Sequence, residues 1–224
     1  MSMMAAVMRK DARELSRDRR VVVMALLVLA LALTAMLTSY VRVSAYEADR
    51  AATLQTDRST WESQGARNPH SAAHFAKWAF KPLTMGAMLD PGVTSYAGSA
   101  IWMEAHSQNP AVARPVDDQR SASPAGEFSL AWVLQVLMPL LIAVIAAGAV
   151  ARERERGTLR LILASGGSAA GFLKAKLASV GMVTLGIAGS VIATGMIAAA
   201  SAGPANPVML ALWLMAYAAF LAII

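Results

Sequence analysis

Apolar residues in this chain run in long uncharged blocks, and the polar positions fall between them. Val21–Val41, Phe128–Ala151, Leu177–Ala200 and Pro207–Ile224 contain no Asp, Glu, Lys or Arg. Each is close to the roughly 20 helical residues that cross a hydrocarbon core about 30 Å thick. The pattern predicts an all-α integral membrane protein, a polytopic helical bundle with membrane helices at 21–41, 128–151, 177–200 and 207–224. A basic interfacial helix over 1–20 precedes them, with Met4, Met8, Ala12 and Leu15 on one face, the alternative being a simple charged flank of the first membrane helix. Residues 42–127 form a mostly helical domain on one side of the membrane. On the other side lies a loop at 152–176, and 201–206 is a tight turn on Gly203-Pro204 and Asn206-Pro207.

Finer features follow from the same pattern. Val43, Tyr46, Leu54 and Trp61 recur at helical spacing, so the first membrane helix is expected to continue outward until Gly65 and Asn68-Pro69. Beyond it come the aromatic residues Phe75, Trp78 and Phe80, a turn at Leu89-Asp90-Pro91-Gly92 and a short run from Tyr96 to Trp102. An extended return through Pro110, Pro115 and Pro124 closes the segment. Pro139 removes a backbone hydrogen bond near the middle of the second membrane helix, a feature read as packing geometry in preference to a hinge. Gly186, Ser190, Thr194 and Ala198 stand at every fourth position of the third and permit close contact inside the bundle, with a dimer seam as the alternative.

Composition agrees with a membrane protein and changes the picture only through charge. The chain is 57% hydrophobic, with mean hydropathy +0.50 and net charge +6. Segments 1–20 and 152–176 each hold six Lys or Arg, against eight in the much longer 42–127. That bias follows the positive-inside rule, so the N-terminus and the 152–176 loop are expected in the cytoplasm and 42–127 outside. Nucleic acid is therefore not the expected partner, whereas membrane lipid is. Val21–Val41 is too long for a signal-peptide core and reads as an uncleaved anchor. There is no Cys, no charge from Leu177 to the end, and no G-x-x-x-x-G-K-[ST] nucleotide loop.

Two stretches carry candidate chemistry. In the loop, Gly157 interrupts helix, Thr158 is placed to cap a new one, and Leu159, Ile162 and Leu163 would line one face before Gly166 and Gly167 end it. Ser168 can cap the next helix, whose Lys174 and Lys176 form a cationic collar at the inner interface. In the external segment His70 and His74 are four apart, and Glu104 with His106 would complete a zinc-like or copper-like set. The other reading, which the weak spacing favours, puts His70 in a turn after Pro69 and His74 and His106 at a wet interface with Trp78 and Trp102. Ser71 stands where an H-E-x-x-H protease needs Glu.

A membrane helix ending in alternating Glu and Arg, then Gly-Thr-Leu, a short apolar helix and a basic helix start, resembles the first intracellular loop of ABC-2 type transporter permeases. Glu153, Glu155, Gly157, Thr158 and Leu159 match that family's E-x-E-x-G-T-L, and Leu161, Ile162, Leu163 and Ala164 fall in its coupling helix. The match departs at Gly167 and Ser168, where many members carry Pro. NPHSAAHFAKWAFKP, LDPGV and IWMEAHSQN resemble a subgroup with a large external loop. The resemblance implies an inner-membrane permease subunit in bacteria, working in export or extracytoplasmic maturation. Its implied partners are an ABC ATPase that binds ATP and Mg and a second permease subunit, identical or related. It also implies that residues 1–20 are an elbow helix, that the full bundle has about six membrane helices, and that this chain is an N-terminal portion, a truncated product or a split subunit. The alternatives are a membrane-anchored metal-binding protein or metalloenzyme using the external histidines, and a passive envelope scaffold.

Overall fold

The computed structural model describes residues 3–83, 85–112, 127–200 and 206–224. α1 (Met3–Arg17) is followed by α2 (Arg19–Ser63), one continuous helix of 45 residues entered through Asp18, whose carboxylate accepts from the Arg20 amide. α2 runs well past the length that a membrane needs, and it ends just before Gly65 at φ +69, a value that favours a residue without Cβ. Short elements follow: α3 (Pro69–Ala73), β1 (Lys77–Phe80), α4 (Met85–Leu89), α5 (Thr94–Ala97) and β2 (Ala100–Met103). The second membrane helix, α6 (Leu130–Glu155), leads to α7 (Thr158–Ala164), then α8 (Ala169–Ala200) and α9 (Pro207–Ile223). Among the described residues α2, α6 and α8 are long and apolar enough to cross a membrane, and α9 is a shorter apolar helix of 17 residues.

α2, α6 and α8 meet along small and branched residues. Ala32, Ala35, Leu130, Val133, Leu134, Met138, Leu141 and Val191 have essentially no solvent exposure. Large apolar side chains such as Leu26, Leu37, Leu140 and Leu185 point outward, as lipid-facing positions do. α4 belongs to this core, since Met88 and Leu89 are each 1% exposed against it. A Cβ built on Gly195 of α8 would lie 2.2 Å from Leu130 Cδ2 and 3.2 Å from Leu89 Cδ2. Both leucines are fully buried and have no room to turn away. Gly195→Ala is therefore expected to destabilise the bundle by about 1–3 kcal/mol, read as a lower midpoint of thermal unfolding in detergent. Unchanged stability would show that the three elements do not meet here.

Several sequence expectations need revision. The small-residue row Gly186, Ser190, Thr194 and Ala198 lies at the margin of the bundle: Gly186 and Ser190 are exposed, Thr194 is half-buried and Ala198 packs against the core, while α8 buries Val180, Thr184, Ala188, Val191, Gly195 and Ala199. α1 buries Val7, Asp11 and Leu15, a face rotated from the Met4, Met8, Ala12 row, because it packs on α8 and α2. Pro139 sits just after a π-helical turn at Val133–Leu137. Its ring displaces the carbonyl four residues back, at Gln135, and the wider turn accommodates that displacement without breaking the helix. Gln135 Nε2 then donates to Tyr217 Oη on α9 at 2.7 Å, and Tyr217 Oη donates to Asp90 at 3.2 Å. The expected external segment also contains a strand pair, β1 antiparallel to β2, with Trp78 opposite Trp102. The turn at 201–206, except Asn206, and the return through Pro115 and Pro124 lie outside the described residues.

Candidate functional site

The charged end of the bundle is built by residues that the helices bury there. Glu153, near the end of α6, is 3% exposed, Lys176 on α8 is 4% exposed and Asp11 on α1 is 5% exposed. Lys176 Nζ donates to Asp11 Oδ1 at 2.6 Å and to Glu153 Oε1 at 2.9 Å. Lys10 Nζ donates to the same Glu153 oxygen at 2.6 Å. Two carboxylates and two ammonium groups thus meet with no net charge, the arrangement that makes burial of ions tolerable. Arg152 with Asp18 at 2.8 Å and Arg156 with Glu14 at 3.0 Å add two half-exposed pairs around it. α1, α6 and α8 are tied together at this end by charge.

The same knot holds α7. Thr158 does not cap the helix as its position in the sequence suggests. Its hydroxyl donates to the Glu153 carboxylate and to the Glu153 carbonyl at 3.2 Å. Gly157, at φ +72, occupies the cap position and supplies the left-handed turn that folds α7 back against the end of α6. At the far end the Gly166 amide bonds the Leu163 carbonyl and the Gly167 amide bonds the Ile162 carbonyl, with Gly166 at φ +87. This Schellman closure confirms the expected stop. Ser168 Oγ accepts from the Gly171 amide at 3.0 Å and caps α8 as expected.

α7 buries no residue. Leu159 and Ile162 are half-buried, Leu163 is 41% exposed and Leu161 is 69% exposed. Leu161 and Leu163, two residues apart, stand at the two edges of the exposed side of α7 with Arg160 and Ala164 between them, while Thr158, Leu159 and Ile162 face the rest of the molecule. Glu155 is exposed beside α7. Lys176 is also displaced from its expected role. Lys174 stays exposed as part of a collar, whereas Lys176 turns inward to the two acids. Lys10 reads in the sequence only as part of the charged face of the first helix, whereas Asp11, an acid standing between Val7 and Leu15 at helical spacing, is a recognisable sign of a buried ion pair.

At the opposite end, His70, His74 and His106 come together. Their ligand-capable nitrogens all lie within 4.8 Å of one another. Glu104 is not part of this group. Its carboxylate accepts from Asn109 Nδ2 at 3.2 Å, and the side chains of Asn109 and Ser107 hold its carboxyl below the usual carboxylate range.

A sequence model of the family described as ABC-2 family transporter protein matches residues 5–224. Neither a curated protein nor a solved structure matches the chain. With that match running over all of its membrane-length helices and over the loop that carries α7, the chain belongs to the ABC-2 transporter family, as a multi-pass membrane permease subunit of an ABC transporter.

Proposed function

We propose that α7 is the coupling helix through which a separate ABC ATPase, holding ATP and Mg, drives this permease. The ATPase docks on the exposed side of α7, which Leu161 and Leu163 flank, at the cytoplasmic face of a bacterial inner membrane; the excess of Lys and Arg in 1–20 and 152–176 supports that side. The observation that carries this reading is an exposed apolar helix fastened at its first residue to a buried charge knot. Any displacement of α7 pulls on Glu153, and Glu153 is bonded to α1 through Lys10 and to α8 through Lys176. A push on seven residues therefore reaches every helix that ends in the knot. A second permease subunit, identical or related, completes the pathway, and the transporter serves export or the maturation of an extracytoplasmic protein.

The test is co-purification from detergent with the partner ATPase, comparing the natural chain with Leu159→Asp and Leu163→Asp. Loss of the ATPase from Leu163→Asp is expected, because that side chain is exposed where docking occurs. Leu159, half-buried, should weaken docking less. Binding by both variants equal to the natural chain would overturn the reading.

A further inference from the structure

The cluster of three histidines lies at the end of the molecule opposite the charge knot and shares no residue with it. His70 lies in the first turn of α3, which Asn68 caps by accepting the His70 amide at 2.8 Å, with Pro69 in that same turn. His74 closes the same short helix. Their Nε2 atoms face each other at 3.3 Å. Nitrogens bound at 2.0–2.1 Å around one tetrahedral ion lie about 3.3–3.4 Å apart, so this pair already has the spacing of two ligands on one metal.

The third ring arrives from a different part of the chain. His106 follows β2, and among the described residues it is the only non-glycine residue with positive φ, at +66. Side chains with a Cβ rarely adopt that conformation. The bridge between Glu104 and Ser107 and the Asn109 bond to the Trp102 carbonyl at 3.0 Å fix the turn around it. The β1–β2 ladder and the Trp78–Trp102 ring contact join this turn to the segment carrying α3. The result puts the His106 ring 5.2 Å from that of His74 and 5.7 Å from that of His70, centroid to centroid.

We infer that His70, His74 and His106 form a binding site for a divalent transition-metal ion, zinc or copper(II), with one coordination position open. Three neutral imidazoles without a carboxylate suit these borderline ions and do not suit calcium or magnesium, which need oxygen ligands. All three side chains are exposed, so the ion is exchangeable with solution and its open position faces solvent. Glu104, engaged by Asn109, does not ligate.

The test uses the full chain in detergent, purified with a tag free of histidine and stripped with a chelator. Zinc and copper(II) are titrated separately by calorimetry, and bound metal is counted by elemental analysis. One ion per chain is expected for at least one of the two metals. Loss of an outer-shell partner alone costs 10–100-fold in affinity, so His70→Ala, His74→Ala and His106→Ala should each weaken binding by at least ~10-fold. Glu104→Gln should bind as the natural chain does, and unchanged helical circular dichroism shows that each variant folds. Binding that survives His106→Ala, or that persists in the triple variant, overturns the site. So does the absence of stoichiometric binding of either metal.

Discussion

Lys176→Met should be among the most damaging single substitutions in this protein, costing about 3–5 kcal/mol of stability. The lysine is 4% exposed and is the group that Asp11 and Glu153 share. Without it, Asp11 keeps a buried carboxylate whose second oxygen already has no hydrogen-bond partner, and Glu153 retains only Lys10 and Thr158. Methionine restores most of the volume, so the loss measures charge and not packing. For a chain of this length the midpoint of thermal unfolding should fall by roughly 10 °C. Adding Asp11→Asn to Lys176→Met removes one stranded charge, and part of the loss should return. A Lys176→Met midpoint within a degree or two of the natural chain would mean that the knot does not form, and it would remove the link between α7 and the helices.

Leu161→Asp should lower affinity for the ATPase by about 100-fold or more. Burying a leucine against a partner is worth about 1.5–3 kcal/mol. A carboxylate forced into the same place without a cation adds its own desolvation cost. Together these exceed about 3 kcal/mol, and each 1.4 kcal/mol is a factor of ten in affinity. The side chain is 69% exposed in the free permease, so the substitution leaves the fold intact and acts on docking alone. The comparison is with Ser59→Asp, which adds the same charge to an exposed site on the outer part of α2. Affinities measured with the permease in lipid nanodiscs should separate the two variants by the full factor. Equal affinities would place the docking surface elsewhere.

Much of the charged end was legible along the chain. Gly157, Gly166 and Ser168 marked real boundaries of α7 and α8, because positive φ and side-chain capping are local requirements that local residue types satisfy. Which side of each helix is covered was not. Thr158 looks like a cap until Glu153 is seen beside it, and Lys176 looks like a collar residue until Asp11 is. The first depends on the turn that folds α7 back on the end of α6, and the second on α1 lying across the end of α8. The small-residue row of α8 is covered only in part, at Thr194 and Ala198, since spacing marks a face and says nothing about which neighbour it meets.

The sequence by itself determined the membrane blocks, the length of the first helix as far as Gly65, the asymmetry of charge and the loop motif that carries the family. These follow from hydrophobicity summed over about 20 residues and from backbone preferences of single positions. Only the tertiary structure decided that Lys176 pairs with Asp11, 165 residues away, and that Trp78 faces Trp102. It also decided that His106 joins His70 and His74. Contacts of that kind depend on how helices and strands distant in the chain are packed together, and no period within either partner records which residues of the other will stand opposite.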